Sequence, residues 1–198
     1  MPSRRAALRL LAGAALVPSF ARSPAMAESF PVIDDLSRPH PEAVTGTNWE
    51  LVSDRVMGGV SGGTIVREEV AGRMALRMRG EVSLENNGGF LQIALDLAPG
   101  GDSIDASGWR GMELEVLGNG EEYNLHLRTD DVARPWQSYR QSFVAGPEWQ
   151  TVRLDFAGFA PHRLEAPLDL THLRRIGLVA IGRAFTADLA LAGIRFYG

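Results

Sequence analysis

Asn124, His126 and Arg128 stand at alternate positions of the run Glu122 to Thr129, with Tyr123, Leu125 and Leu127 between them. A period of two puts the amide, the imidazole and the guanidinium on one face of a strand and the apolar set on the other. Nearby chain adds Trp136, Tyr139 and Arg140, so stacking surface and hydrogen-bond donors come together. That mixture suits a sugar and an acidic protein segment alike, and a plain solvated sheet face would read the same way. Trp136 follows Pro135 in a polar stretch and is the candidate for an exposed aromatic platform.

Other chemistry finds little support. The four histidines, His40, His126, His162 and His172, lack the short spacing of a metal site. Ser61 sits among glycines, but no strand-to-helix context surrounds it to present a nucleophile. Glu113 and Glu115 share one strand face, whereas sugar hydrolysis needs two carboxylates facing each other across a cleft. They read as solvated acids, and Asp34-Asp35 and Asp130-Asp131 read as turn acids rather than calcium ligands. Cysteine is absent, which excludes disulfides, thiolate nucleophiles, zinc-thiolate sites and iron–sulfur ligation. Lysine is absent too, so Schiff-base chemistry is excluded. No cofactor motif and no metal site is expected, and the chain reads as a non-enzyme.

The elements that must position the candidate face are strands. Alternation marks Arg73 to Gly80, Gly89 to Leu97 and Trp109 to Leu117; Gln137 to Val144 and Trp149 to Phe156 are two further strands around a turn, and Arg174 to Gly182 is a nearly continuous apolar run. With Phe30 to Arg38, Thr64 to Val70 and Ala187 to Tyr197, about ten strands follow one another with turn signals between them. Gly118-Asn-Gly120 and Gly146-Pro147 are two such turns. No amphipathic helix of three turns is evident. The pattern predicts an all-β fold, an antiparallel β-sandwich of jelly-roll type. Ala160 to Leu170 is expected to be a long loop, with one helical turn near Thr171.

The densest irregular stretch is Trp49 to Gly63, WELVSDRVMGGVSGG, answered by Glu85 to Phe90, ENNGGF. Two glycine pairs, with Asp54, Arg55 and Met57 before them and Ser61 between them, mark a fixed crossing rather than a phosphate loop, since the Gly-Lys-Ser/Thr ending is missing. Asp54 either accepts backbone N–H groups and pins the loop or meets a partner directly. The two motifs resemble those of the CIA30 family, complex I intermediate-associated protein 30. The residues carrying the resemblance are Trp49, Asp54, Met57, Gly58, Gly59 and Ser61, then Asn87, Gly88, Gly89 and Phe90. Weaker similarity continues through Tyr123 to Arg128, Trp149 to Phe156 and Arg175 to Leu178. The resemblance implies a galactose-binding-like jelly roll and an assembly-factor or chaperone-like role toward a respiratory NADH dehydrogenase complex. The expected partner is then a subunit or assembly intermediate of that complex; a glycan is the alternative, since this fold hosts carbohydrate-binding modules.

Composition bounds the rest. The 198 residues are 45% hydrophobic and 22% charged, which suits one globular domain. Residues 1–27 carry four arginines and no acid, leaving sixteen arginines against twenty-four acids afterwards, a net −8 for residues 28–198. A body of that sign argues against nucleic acid as a partner. The first 27 residues read as an export signal: Arg4-Arg5, an apolar stretch from Ala6 to Val17, and the small-residue site Ala25-Met-Ala27. The apolar stretch is too short for a membrane span, so none is expected in the mature chain. Ser3-Arg-Arg-Ala-Ala-Leu-Arg9 resembles the twin-arginine motif, which implies passage of a folded domain into the periplasm. The mature protein should therefore begin at Glu28, as read by mass spectrometry of the periplasmic fraction. Replacing Arg4 and Arg5 by Lys should leave a full-length precursor in the cytoplasm; unimpaired export of that variant would exclude the twin-arginine route.

Overall fold

The computed structural model describes residues 31–198; the leader, with the expected cleavage after Ala27, lies outside them. Among the described residues, twelve strands form two six-stranded antiparallel sheets. They are β1 (Val32–Asp34), β2 (Glu50–Ser53), β3 (Gly62–Val70), β4 (Arg73–Val82), β5 (Phe90–Asp96) and β6 (Gly111–Gly118). Then come β7 (Glu122–Thr129), β8 (Ser138–Val144), β9 (Gln150–Asp155), β10 (Ala160–His162), β11 (Leu173–Ile181) and β12 (Phe185–Tyr197). The first sheet runs β3-β4-β12-β6-β9 with β1 beside the second half of β12, and the other runs β10-β8-β7-β11-β5-β2. This is the expected jelly-roll sandwich. Two short strands were not legible: β2, within the Gly-rich motif, and β10, within the stretch expected to be loop. The helical turn near Thr171 is present as Leu170–His172.

Alternation builds the core as the period of two requires. Leu76 and Met78 of β4, Met112, Leu114 and Val116 of β6, and Leu189 and Leu191 of β12 face Leu91, Ile93 and Leu95 of β5, Leu125 and Leu127 of β7 and Leu178 of β11. Tyr123 and Tyr139 are fully buried among them. Trp49, also buried, donates its Nε1–H to Asp34 at 2.7 Å, and Asp34 accepts the amide of Leu36 at 3.0 Å. Asp34 is thus the acceptor for a core tryptophan. Glu113 departs from the solvated expectation: it points to the outer face but is only 3% exposed, covered by Arg153 and Arg195.

The two Gly-rich motifs meet at one buried carboxylate. Asp54 opens a 3-10 turn, Asp54–Met57, between β2 and β3 and is completely inaccessible. Its Oδ1 accepts the Ser61 amide at 2.9 Å, and its Oδ2 accepts the amides of Gly89 at 2.6 Å and Phe90 at 3.3 Å and the hydroxyl of Ser61. Ser61 Oγ in turn accepts the Ser83 amide at 2.9 Å. The β2–β3 corner and the β4–β5 corner, on which the chain changes sheets, are tied through one side chain. Burial alone would raise the Asp54 pKa, but the bonds from Ser61, Gly89 and Phe90 outweigh it and hold the group below its ordinary value.

The glycines around it serve different ends. Gly58 has φ of +91° and lies in open space, so its need is conformational. Gly59 has no positive φ, but a Cβ there would overlap the Asp54 carboxyl group; at Gly88 a Cβ would lie 2.5 Å from Asp54 Oδ2. Gly58→Ala should therefore cost about 1 kcal/mol. Gly59→Ala and Gly88→Ala should each cost more, about 2 kcal/mol or above, because carboxylate and backbone cannot both stay in place. Equal losses at all three positions in denaturant unfolding would refute this division. With a depressed folded-state pKa, the stabilisation from Asp54 is complete above its unfolded value near 3.9 and is lost as pH falls through the folded value. Asp54→Asn should remove that part of the acid sensitivity.

Candidate functional site

The open face of the second sheet is a groove of about 700 Å³. Its floor is set by strand register. Arg140 of β8 pairs with His126 of β7, His126 with Gly177 of β11, and Gly177 with Ala94 of β5. Two of these four residues are nearly bare backbone, which sinks the centre of the face. A Cβ on Gly177 would meet the Gln92 amide, so Gln92 lies across this point. One end of the groove is marked by the Ile181–Phe90 pair and the other by the Asp96–Arg175–Arg128 set. Those ends lie about 20 Å apart along β5.

The loops raise walls of different character. At the Phe90 end, the turns pinned by Asp54 bring up Val56, Met57 and Leu84, which are 73%, 55% and 53% exposed. So much exposed apolar surface held on fixed backbone is a lip suited to contact. At the other end stand Arg128, Trp136, Arg163 and Arg174. Trp136 is 47% exposed, in keeping with the platform expected of it. Gln137 holds its loop, accepting from the Arg134 amide at 3.0 Å and donating to the Arg163 carbonyl at 2.9 Å.

The structure brings His126, Arg128, Trp136 and Arg140 into this groove together with Met57, Asn87, Gly88, Gly89 and Phe90 of the two motifs. Asn124 shares the face but lies outside the lining. Tyr139 does not belong to the site. It precedes Arg140 by one position, so alternation turns it into the core, where its hydroxyl reaches the carbonyls of Ala166 and Pro167 at 3.0 and 2.9 Å. The expected set placed neighbours in sequence on one face, which a strand forbids. Asp54, Gly59 and Ser61 are buried as well and support the lip from beneath, while Trp49 is buried at the other end of β2, against Asp34. Ser61 has glycines at the spacing G-x-S-x-G, yet its hydroxyl is spent on Asp54 and no helix follows it. Val52, Val56, Leu84, Gln92, Arg163 and Arg174 were not foreseen. The outward alternation of Gln92 was visible, and Arg174 opens an expected strand but sits at its irregularity between Leu173 and Arg175; the others lie in a missed strand or in turns, where no period exists.

His126 is 8% exposed and its Nε2 has no hydrogen-bond partner. Burial, with added repulsion from Arg140 and His162, pushes its pKa down to about 3. The imidazole is neutral at physiological pH, and its unpartnered Nε2 is itself buried.

Residues 39–191 match the family described as Complex I intermediate-associated protein 30 (CIA30). The chain belongs to the CIA30 family. No curated protein sequence matches it. Among solved structures, it is similar to the family 11 carbohydrate-binding module of the cellulosomal cellulase Lic26A-Cel5E of Clostridium thermocellum. That likeness has 14% identity and a TM-score of 0.66, covering 87% of this chain and 96% of the module. The family 11 module from Clostridium thermocellum in complex with a β-1,3-1,4-mixed-linked tetrasaccharide gives 15% identity and a TM-score of 0.61 over 84% and 94% of the two chains. A family 30 carbohydrate-binding module gives 14% and 0.51 over 71% and 76%. At such identities the likeness establishes the sandwich fold of this CIA30 member and nothing about its ligand.

Because the folded-state pKa of His126 lies below the unfolded value of 6.5, the unfolded state binds the proton first. The contribution of His126 to stability is complete above about pH 6.5 and declines as pH falls toward the folded value. In NMR titration the His126 ring signals should stay fixed from pH 8 down to about 5, the range in which an ordinary histidine moves. His126→Gln should flatten the stability profile across that range. A His126 titration midpoint near 6.5 would contradict the burial described.

Proposed function

We propose that this CIA30-family domain is an exported, non-catalytic binding module that takes an extended segment of a partner protein in the groove and serves in the assembly of a respiratory NADH dehydrogenase complex. One observation carries the reading. All but Trp49 of the motif residues that carry the CIA30 resemblance gather at the corner that forms the apolar lip of the groove, Met57 and Phe90 lining it directly and Asp54, Gly59 and Ser61 supporting it from below. What family membership specifies and what the groove presents are therefore one place. Aliphatic groups on a rigid lip suit protein side chains. From the periplasm, the part of such a complex within reach is its membrane arm.

A second reading, a glycan-binding module, is favoured by the sandwich shared with carbohydrate-binding modules and by the exposed Trp136 ring. Among the described residues Asp96 is the one carboxylate lining the groove, and Arg175 already occupies it at 2.8 Å, so acceptance from sugar hydroxyls would fall to amides and hydroxyls such as Gln92 and Ser138.

The test is affinity capture from detergent-solubilised membranes by the mature domain, with subunits identified by mass spectrometry, beside a glycan array. Membrane-arm subunits of NADH dehydrogenase should be retained, and a Met57→Ser, Trp136→Ala double variant should lose them at unchanged thermal stability. Deletion of the gene should reduce assembled complex on native gels. Binding to mixed-linked glucan oligosaccharides without retention of respiratory subunits would overturn the proposal in favour of the second reading.

A further inference from the structure

The two sheets treat their arginines differently. On the outer face of the first sheet, guanidinium groups meet carboxylates: Arg73 with Glu115 at 3.2 Å, Arg77 with Asp188 at 2.6 Å and Glu68 at 3.2 Å, Arg153 with Glu113 at 2.6 Å, and Arg79 and Arg195 with Glu68 and Glu113. Around the groove the pattern is reversed. Arg128, Arg140, Arg163, Arg174 and Arg175 line it, and among the described residues only Arg175 has carboxylate partners, Glu50 at 2.9 Å and Asp96 at 2.8 Å.

Two of the unpaired members, Arg128 and Arg140, are not solvated surface groups. Arg128 is half-buried; it reaches the carbonyls of Pro135 and Arg134 only at 3.4 Å, and its buried Nε has no partner. Arg140, also half-buried, donates to Ser138 Oγ at 2.9 Å and meets no acid. Burial lowers the pKa of both, and neighbouring arginines push the same way: Arg174 and Arg175 on Arg128, and Arg163 on Arg140. Partly desolvated like charges without counter-charges are unfavourable in the empty domain and become favourable when an anion enters. Residues 28–198 have acids to spare, with a net charge of −8, and have not placed them here.

We propose that the groove selects a carboxylate-rich protein segment, with its acidic side chains among Arg128, Arg140, Arg163 and Arg174 and an apolar residue on Val56, Met57 and Leu84. This rests on the reading above that a protein segment occupies the groove, and adds the chemistry that selects it. Guanidinium forks match carboxylates in geometry, and the groove length of about 20 Å corresponds to roughly six residues of extended chain. The neutral His126 beneath them adds no further repulsion between cations.

The experiment is selection of short random-sequence peptides on the immobilised mature domain, at low and at physiological salt. The retained pool should be enriched in Asp and Glu together with an aliphatic residue, and its best member should bind at least about tenfold more weakly when its acids are changed to amides. Arg128→Gln and Arg140→Gln should each weaken that member by about tenfold, with a shallower salt dependence and with melting temperature unchanged or raised. A merely structural role for the two arginines predicts a lowered melting temperature instead and would overturn the assignment. A retained pool no more acidic than the input overturns the charge selection while leaving the protein-binding reading standing. No retained peptide at all, with glucan oligosaccharides bound on the array, overturns both.

Discussion

A buried carboxylate without a cation partner holds this domain's two working parts in register. Asp54 is ionised by backbone and hydroxyl donors alone, from Ser61 on one corner and Gly89 and Phe90 on the other. Such a group is stable only while every donor stays in place, since a charge left unsatisfied in the interior costs several kcal/mol. The consequence is rigidity at the turns that carry Val56, Met57 and Leu84. An apolar lip can be held above a groove only if the backbone beneath it cannot collapse onto the core, and the Asp54 clamp prevents that collapse.

The same constraint explains the glycine density. Gly59 and Gly88 are required by the space Asp54 occupies rather than by backbone dihedrals, whereas Gly58 is required by its left-handed conformation. The fixed crossing read from the glycine pairs is a corner held by hydrogen bonds to one carboxylate. Across the sandwich, the outer face of the first sheet is closed by paired charges and the groove face is left with unpaired ones. Surface ion pairs of the first kind contribute little stability each, but they leave no field for a charged partner to find. The groove arginines leave such a field at one end of the second sheet only, on a domain otherwise acidic, and this directs a charged partner to one place.

The sequence by itself determined the sandwich. Apolar pattern and turn signals marked ten of the strands, and alternation set the inward side chains of the clearest, such as Glu122 to Thr129, because a strand's period of two does not depend on its neighbours. It also placed the CIA30 motifs and the outward direction of His126 and Arg128, and it named Asp54 as the pin or the contact of its corner without deciding between them. β2 and β10 escaped because each is three or four residues long and gains its strand state from pairing with β5 and β8 rather than from local pattern.

Only the tertiary structure decided what the candidate residues do. Tyr139 and Arg140 are adjacent in sequence and belong to opposite faces, one in the core and one in the groove. Met57 and Arg128 are far apart in sequence and line the same groove, because β2 and β7 lie in one sheet with β5 and β11 between them. The pairing of charges is likewise a property of sheet order: Glu113 finds Arg153 and Arg195 because β6 lies between β9 and β12, while Arg140 and Arg163 find no acid because β8 and β10 end the other sheet. Local period tells which way a side chain points. Which neighbours it meets there is set by non-local pairing, and no single strand's sequence carries that information.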